Sequence, residues 1–342
     1  MITISVCMIV KNEEKVLARC LDSIKEIADE IIIVDTGSTD NTKNIARKYT
    51  NKIYDFTWNH DFSAARNYAF ERATMEYIYS ADADEVLDEE NQACFLRLKK
   101  TLLPEIEIVQ MKYANQLQYN TTYNFDIEYR PKLYKRLRTF RWEEPVHENV
   151  ILSPVIYDSD VVILHMPLSN HAGRDFETFQ RVIKREGRLS PRLHEMYARE
   201  LYIAGEDNDF IVAFPYFNNY NDIEECKERE RKIGECILSK CCLIHKDVTG
   251  LMKYSLRNIA DGKASSEVCY NLGEYFYELG DYREATIWYY NAAYETSCEL
   301  NIHYAGDYPL QKLAQCYHNL GNLAQEEAFK ALAYNWTMED KG

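Results

Sequence analysis

The first 80 residues alternate between short apolar runs and amphipathic segments. Runs of strand length, apolar or β-branched, occupy residues 3–10, 30–34, 52–55 and 77–80. Segments with helical spacing lie between them at 12–27, 42–49 and 62–73, the first with Asn12 as its expected cap. Strands and helices that alternate at this spacing predict an α/β domain with a doubly wound, mainly parallel sheet.

The pattern changes in the rest of the chain. Three further runs predict strands joined by long polar loops, at residues 108–113, 128–134 and 160–165. Strand signals stop after residue 171, where an amphipathic helix at 176–189 is followed by helix pairs. We therefore predict an α/β domain at 1–170, a connecting helix at 171–190 and an all-α domain at 191–342.

One helical segment has the spacing of a tetratricopeptide repeat. Small and large positions alternate as two closely packed antiparallel helices require, at Leu272, Gly273, Phe276, Gly280, Tyr282, Ala285, Tyr289 and Ala292. Weaker copies lie at Tyr197, Leu201, Gly205 and Phe214, and at Leu313, Tyr317 and Gly321. The copies are irregularly spaced, which predicts a degenerate helical-repeat domain.

The composition of the chain bears on which ligands it can bind and on the cellular compartment that it is expected to occupy. The 40 basic and 55 acidic residues give a net charge of −15, which disfavours binding to nucleic acid or anionic membranes. A polyanionic ligand must then be held locally, by a metal, a helix N-terminus or a few Arg side chains. The ten Cys include no C-x-x-C pair, and the apolar start lacks a basic segment. With no run of 18 apolar residues, these features predict a cytoplasmic protein with reduced thiols and no transmembrane segment.

Polar clusters follow three of the predicted strands. They are Lys11-Asn12-Glu13, Asp35 and Asp82-Ala83-Asp84-Glu85. Ligands of open α/β sheets bind beyond the carboxyl ends of the strands, so the clusters should share one edge, although each Asp alone could be a turn residue or helix cap. Asp82-x-Asp84 suits Mg²⁺ or Mn²⁺ with a diphosphate. The chain has neither G-x-G-x-x-G nor G-x-x-x-x-G-K-S/T, which disfavours dinucleotide oxidoreductases and P-loop enzymes.

Five stretches together resemble the family 2 glycosyltransferases of the GT-A fold. They occur in the family's order at residues 7–14, 32–40, 61–67, 81–85 and 146–148. The chain is particularly similar to the SunS-like peptide glycosyltransferase subgroup, whose members carry tetratricopeptide-like C-terminal helices. The resemblance covers about residues 1–170 and implies a nucleotide-sugar-binding, Rossmann-like GT-A domain followed by a helical one.

The resemblance also implies roles for particular residues. It puts Asn12 and Glu13 near the nucleoside and Asp35 at the uracil or ribose. Arg66 and Asn67 would lie further along the donor site. Asp82 and Asp84 match the family's D-x-D and would hold the ribose and a metal-bound diphosphate. His165, at the end of a late strand, would supply a third ligand to the metal or the diphosphate. The chain departs from the family at Glu144-Pro145, where a Gly is common, and at Met166-Pro167, where an aromatic-Gly pair is common.

Three further groups of residues each have two interpretations. An inverting transferase needs a base for the acceptor proton, and His147 or Glu148 can supply it; alternatively Glu148 pairs with an Arg and His147 is structural. The basic strand at 130–136 either lines the diphosphate or acceptor, or is an edge strand with its cations outward. Three aromatic side chains could stack on sugar rings or belong to the core: Trp58, Tyr113 and Trp142.

The sequence thus predicts a metal-dependent inverting glycosyltransferase that uses a nucleotide-diphosphate sugar, expected to be a UDP-sugar with Mn²⁺ or Mg²⁺. The expected acceptor is a peptide or protein side chain, since helical repeats form surfaces suited to extended ligands. A cell-envelope or capsular glycan is the alternative acceptor, and a homodimer through the helical domain stays open. A non-catalytic scaffold with a degenerate transferase domain is the alternative class, and the intact acidic residues disfavour it: Asp35, Asp82 and Asp84.

Overall fold

The computed structural model describes residues 1–114, 128–138, 140–147, 149–150, 154–166, 172–221, 226–260 and 262–337. These residues group into two compact units, one ending before residue 172 and the other beginning there. The helix expected as a connector belongs to the second unit in this division. The three domain boundaries given above stay a prediction.

The first unit combines a sheet with short helices. Its strands are β1 (Ile4–Val10), β2 (Glu30–Asp35), β3 (Ile53–Asp55), β4 (Tyr77–Ser80), β5 (Glu85–Val86), β6 (Ile108–Ala114), β7 (Glu128–Lys135), β8 (Trp142–Glu143), β9 (Asn149–Val150) and β10 (Ile156–His165). Its helices are α1 (Leu17–Ile24), α2 (Thr42–Ala46), α3 (Phe62–Phe70) and α4 (Glu89–Thr101), with a 3₁₀ turn at Arg136–Arg138.

Eight strands form one mixed sheet in the order β3-β2-β1-β4-β7-β6-β10-β5. The strands β3, β2, β1 and β4 are parallel, and so are β6 and β10, whereas β7 and β5 run antiparallel to their neighbours. Strands β8 and β9 pair separately. Because Val10 pairs with Asp35 in register, the loops after β1 and β2 leave the sheet side by side. The predicted α/β domain is confirmed.

The helix predicted at residues 12–27 begins only at Leu17. Asn12 is not its cap, because its backbone is left-handed, with φ 57°, and its side chain turns to the next loop. The Asn12 Oδ1 atom accepts from the Thr39 backbone N–H at 2.8 Å, and the Asn12 N–H donates to Ser38 Oγ at 2.9 Å. This pair of bonds joins the loops after β1 and β2.

The basic strand lies inside the sheet and not at its edge. Strand β7 pairs with β4 on one side and β6 on the other. The alternative of an edge strand with outward cations was therefore wrong for this strand, and Lys132 in particular is buried. A Lys inside a sheet needs carboxylate partners, and these lie at the site described below.

The second unit is helical. Its helices are α5 (Ala172–Glu186), α6 (Pro191–Ala204), α7 (Asp207–Asn221), α8 (Glu228–Ile244), α9 (Val248–Ala260), α10 (Ser266–Glu278), α11 (Tyr282–Tyr290), α12 (Asp307–Asn319) and α13 (Leu323–Asn335). A π-helical turn at Asn291–Glu295 and a 3₁₀ turn at Ile302–Ala305 join α11 to α12. The predicted helical region after the α/β domain is confirmed.

Close helix packing explains the repeat-like spacing around α10 and α11. A Cβ placed on Gly273 would lie 2.6 Å from the ring of Tyr289, which is fully buried. Only Gly therefore lets the two helices approach at this point. Gly280, with φ +77°, adopts the left-handed conformation that ends α10 before α11 begins.

Candidate active site

The carboxyl ends of β1, β2 and β4 meet at one edge of the sheet, and the predicted polar clusters follow them. Glu13 donates its backbone N–H to Thr42 Oγ1 at 2.7 Å, which adds to the bonds that Asn12 makes between the first two loops. Glu14 and Asp40 extend this joint, since the Glu14 N–H donates to an Asp40 carboxylate oxygen at 3.2 Å. The loop after β1 is thereby fixed against the loop that carries Asp35.

Asp35 ends β2 with its carboxylate buried, and the residue is 1% exposed. Its Oδ1 atom accepts from the backbone N–H groups of Gly37 and Ser38, both at 2.9 Å, and Gly37 permits this tight turn with φ +104°. Within the described part of the chain, the Asp35 Oδ2 atom is buried and has no hydrogen-bond partner. A buried acceptor without a partner costs about 1–3 kcal/mol, so this oxygen is suited to receive a donor group from a ligand.

Asp82 lies two residues after β4 and is held by two cations. Its Oδ1 atom is 2.9 Å from Arg66 Nη2, and its Oδ2 atom is 3.2 Å from Lys132 Nζ. Arg66 also donates to Ser80 Oγ at 2.9 Å. Burial opposes ionisation, but the charges of Arg66 and Lys132 outweigh it and hold the pKa of Asp82 well below its usual range. Asp82 is therefore ionised and oriented by protein groups.

Asp84 contacts a different partner. Its Oδ2 atom is 3.2 Å from His165 Nε2 at the end of β10, so the structure brings together these two predicted metal ligands. The Met166 backbone N–H donates to the Asp84 carbonyl at 2.9 Å, and Arg19 Nη2 donates to the Met166 carbonyl at the same distance. Arg19 thus anchors the segment after β10 to α1.

The predicted metal set of Asp84, Asp82 and His165 is only partly assembled. Throughout the described ranges, no cluster of three or more His, Cys, Asp or Glu side chains is arranged to hold a metal ion. The carboxylate and imidazole of Asp84 and His165 nevertheless fit a hard divalent cation. Mg²⁺ and Mn²⁺ usually keep water and substrate phosphates as their remaining ligands, so two protein ligands suffice for such an ion.

Glu85 and Lys132 are site residues that the sequence did not single out individually. Both are buried, and the Lys132 ammonium contacts the Glu85 carboxylate directly. Burial raises the pKa of Glu85 to about 7, while Lys132 opposes that rise. The basic strand and the acidic Asp-x-Asp-Glu were visible as separate signals, but only the pairing of β7 with β4 brings them together.

Asn67 holds the strand β8 in place. Its Nδ2 atom donates to the Trp142 carbonyl at 2.9 Å, and its Oδ1 atom accepts from the Trp142 N–H at 2.8 Å. The Arg66 guanidinium lies 5.1 Å from the centre of the Trp142 ring. The amide of Asn67 is therefore engaged with backbone, which favours a supporting position for it in the donor site.

The predicted base region lies between β8 and β9. His147 is half-buried and has a left-handed backbone with φ 48°, and Glu144 in the same loop has φ 69°. The Pro145 carbonyl accepts from the Phe62 N–H at 3.0 Å, which ties this loop to the start of α3. Glu148 lies outside the described residues. Left-handed backbone at non-Gly residues is costly and concentrates at functional sites.

The three aromatic side chains considered for sugar stacking make protein contacts. The Tyr113 ring is buried, with the Arg130 guanidinium 4.2 Å from its centre and the His165 ring 5.2 Å away. Trp142 packs edge-on against Phe70, and Trp58 packs edge-on against Phe62 at 4.8 Å. Trp58 and Trp142 remain half-buried, so each keeps part of its ring exposed.

Among the residues that the structure describes, no helix is both long enough and apolar enough to cross a bilayer.

Comparison with known proteins finds similarity to glycosyltransferases in the first unit. Residues 5–151 match the model of glycosyl transferase family 2. The prophage-derived glycosyltransferase SunS of Bacillus subtilis is 26% identical over 266 residues, which cover 71% of this chain and 58% of SunS. A TPR repeat-containing protein of Synechococcus elongatus is 48% identical over 87 residues, 25% of this chain and 22% of that protein. The chain thus spans between about a fifth and three fifths of the length of these relatives.

Solved structures with a similar course of the chain include glucosyl-3-phosphoglycerate synthase of Mycobacterium tuberculosis. That enzyme was crystallised with Mn²⁺ and uridine-diphosphate-glucose. The similarity has a TM-score of 0.39 at 14% identity and covers 56% of this chain and 81% of that chain.

Proposed function

We propose that the protein, whose residues 5–151 match the model of glycosyl transferase family 2, transfers a sugar from a nucleotide-diphosphate sugar, specifically a UDP-sugar, to an acceptor. The observation that carries this proposal is the buried carboxylate of Asp35. One of its oxygens is satisfied by the turn that follows β2, and the other has no partner in the described part of the chain. A uracil N–H or a ribose hydroxyl would supply the missing donor.

The nucleoside would lie over the joined loops after β1 and β2. Asn12 and Glu13 are fixed there by bonds to Ser38, Thr39 and Thr42, so their positions are set before a ligand arrives. Preformed positions reduce the ordering that binding must impose, which improves affinity. Asp82, oriented by Arg66, lies after the neighbouring strand β4 and would face the ribose.

Asp84 and His165 would hold Mn²⁺ or Mg²⁺ together with the diphosphate. A bound divalent ion supplies Lewis-acid stabilisation of the departing diphosphate. The protein's own part is to orient the two ligands: the Met166 N–H fixes the Asp84 carbonyl, and Arg19 fixes the Met166 carbonyl. The acidic net charge of the chain supports a role for a cation, since a diphosphate would otherwise be repelled.

His147 or Glu148 would take the proton of the acceptor in an inverting reaction. The left-handed backbone at His147 and Glu144, and the bond from Phe62 to Pro145, support a loop held in one conformation near the donor site. A positioned base accelerates such a step by about 10²–10⁴-fold. The bond that breaks joins the anomeric carbon to the diphosphate. The bond that forms joins the anomeric carbon to the acceptor oxygen, sulfur or nitrogen.

The proposed acceptor is a peptide or protein side chain, and the helical second unit supports this choice. Stacked helix pairs offer extended surfaces on which a flexible chain can lie. A cell-envelope or capsular glycan is the alternative acceptor. Incubation of the full chain with a radiolabelled UDP-sugar and either a peptide library or cell-wall fragments distinguishes the two by the fraction that becomes labelled.

Donor binding is tested by thermal denaturation with nucleotides. We expect UDP or a UDP-sugar with Mn²⁺ to raise the melting temperature by several degrees and a chelator to abolish the rise. At 100 times its Kd, a ligand adds about 2.7 kcal/mol to the free energy of unfolding, and each kcal/mol raises the Tm by about 2–4 °C in a domain of this size. Equal shifts with ADP and UDP would refute the uridine assignment. No shift with any nucleotide would refute the proposed function.

The role of Asp35 is tested by replacing this residue with Asn. We expect Asp35→Asn to raise the Kd for UDP with Mn²⁺ by about 10–100-fold, because a lost hydrogen bond to a charged group is worth about 1.5–3 kcal/mol. The turn should survive, since Asn retains an oxygen for the Gly37 and Ser38 N–H groups. Isothermal titration measures the affinity, and Asp160→Asn, at an exposed carboxylate of β10 that pairs with Lys112, is the control. Unchanged UDP affinity in a folded Asp35→Asn variant would contradict the role.

A further inference from the structure

We infer that Lys132 is a positioning residue that fixes the acidic turn of residues 82–85, and with it the donor site. This inference rests on the proposed function for its consequence but not for its geometry. Lys132 would not touch the donor; it would act through Asp82 and Glu85.

The first observation is the place of Lys132 in the sheet. It lies in β7, next to Leu133, which pairs with Tyr79 of β4. Its side chain is only 7% exposed and lies 5.2 Å from the centre of the Tyr113 ring. A Lys side chain is rarely buried unless its charge is paired. The residue is therefore committed to partners within the protein.

The second observation is a closed set of contacts around the turn. The Lys132 ammonium contacts Glu85 and lies 3.2 Å from Asp82 Oδ2. Glu85 also makes two hydrogen bonds with Asp82. The Glu85 Oε2 atom accepts from the Asp82 backbone N–H at 3.2 Å, and the Glu85 backbone N–H donates to the Asp82 carbonyl at the same distance. Lys132 thus links the two ends of the turn at their side chains, while the backbone links them directly.

The third observation is the charge that the turn must tolerate. Three carboxyl groups lie within four residues, at Asp82, Asp84 and Glu85. Arg66 contacts one oxygen of Asp82 and His165 contacts Asp84, so Lys132 is the cation that lies between Asp82 and Glu85. Without Lys132, the side chains of Asp82 and Glu85 would lose the ammonium group that joins them, and the turn would loosen.

The turn also covers a thiol that can report on it. The Cys20 Sγ atom of α1 is fully buried and lies 3.3 Å from the Asp82 carbonyl, to which it donates. If the turn loosens, Cys20 becomes accessible to an alkylating reagent. Cys7 in β1 is also buried, but its thiol donates to the Ala69 carbonyl of α3 and not to a residue of the turn. The ratio of the two alkylation rates therefore separates local opening of the turn from unfolding of the unit.

A merely structural ion pair would behave differently, and the chain offers a matched control. Lys99 in α4 is as buried as Lys132 and pairs with Asp29 at 2.6 Å, with a further bond to the Ile27 carbonyl. Lys99→Met removes a buried cation from the same unit without touching the acidic turn. Both Lys→Met variants should lower the melting temperature, because each leaves a carboxylate uncompensated.

The experiment compares Lys132→Met, Lys132→Arg, Glu85→Gln and Lys99→Met in the full chain. Alkylation with iodoacetamide is followed by peptide mass spectrometry, and the affinity for UDP with Mn²⁺ by isothermal titration. We expect Lys132→Met to raise the ratio of the Cys20 rate to the Cys7 rate and to weaken UDP binding by about 10–100-fold, the usual effect of removing a group that orients a ligand-binding residue. Glu85→Gln should have a smaller effect of the same kind, and Lys132→Arg should restore part of both.

The outcomes are separable. An unchanged Cys20 to Cys7 ratio in a folded Lys132→Met variant overturns the inference, and so does an equal change in Lys99→Met. If Lys132→Met does not fold, Glu85→Gln decides by the same ratio. If the unaltered protein fails to bind UDP or any other nucleotide, the proposed function falls, while the alkylation ratio still decides whether Lys132 fixes the turn.

Discussion

Asp84→Asn is expected to reduce sugar transfer and donor hydrolysis by about 10³-fold while the fold stays intact. The carboxylate is proposed to hold the divalent ion, whose Lewis-acid contribution is several kcal/mol, and each 1.36 kcal/mol corresponds to a tenfold change in rate. Release of UDP from a panel of UDP-sugars measures the turnover. Paramagnetic resonance of Mn²⁺ measures ion binding separately, and the signal of bound Mn²⁺ should be lost in the variant.

The control for this variant lies on the same unit. Asp160 of β10 is an exposed carboxylate that pairs with Lys112 at 3.2 Å, so Asp160→Asn removes one negative charge without reaching the site. Circular dichroism and the melting temperature should be close to those of the unaltered protein for both variants, because substitutions of this kind away from the core cost about 0.5 kcal/mol or less. Full turnover in Asp84→Asn, or an equal loss in Asp160→Asn, would refute the assigned role.

Replacing the base is expected to leave donor binding near normal and lower turnover by about 10²–10⁴-fold. The two candidates are tested by His147→Asn and Glu148→Gln, and one of the two variants should show the loss. Asn is chosen at position 147 because it tolerates the left-handed backbone that His147 adopts, with φ 48°. The measurement is kcat and KM for a UDP-sugar with the identified acceptor, where kcat should fall and the KM for the donor should hardly change.

His60 offers a matched control for the change at His147. It has the same side chain and a left-handed backbone with φ 63°, and it lies in the same unit. His60→Asn should therefore reproduce any general effect of the substitution on the loop backbone. If both His147→Asn and Glu148→Gln retain the full rate, neither residue is the base and the acceptor proton must go elsewhere.

The pattern of polar and apolar residues determined most of the first unit. Continuous apolar runs such as those of β1 and β2 are typical of strands buried on both faces, and the predicted strand at 77–80 agrees with β4 at Tyr77–Ser80. Because strand ends of a parallel sheet share one edge, the sequence alone predicted that Asp35 and the Asp82-Ala83-Asp84 turn lie on the same side. The small and large positions around Gly273 and Tyr289 likewise identified a close helix pair, since only a residue without Cβ fits there.

Other features depended on contacts between residues distant in sequence. Asn12 looked like a helix cap, but the pairing of β1 with β2 gives its side chain a better partner at Thr39. The basic strand that contains Lys132 had two interpretations from sequence, a lining of the diphosphate or acceptor and an edge strand with its cations outward. The burial of Lys132 follows from the insertion of β7 between β4 and β6, which the sequence does not encode in any local pattern.

In the candidate site, too, local sequence predicts some features and tertiary contacts decide the others. Local sequence supplies the acidic residues, because a strand followed by Asp or Glu is visible in one short window. Only tertiary structure decides which oxygen of Asp35 is left without a partner in the described residues, and which cations neutralise Asp82 and Glu85. Hydrophobic periodicity reports which face of an element is buried. The pairing of individual charges is set by strand order and register, and these arise from the whole sheet.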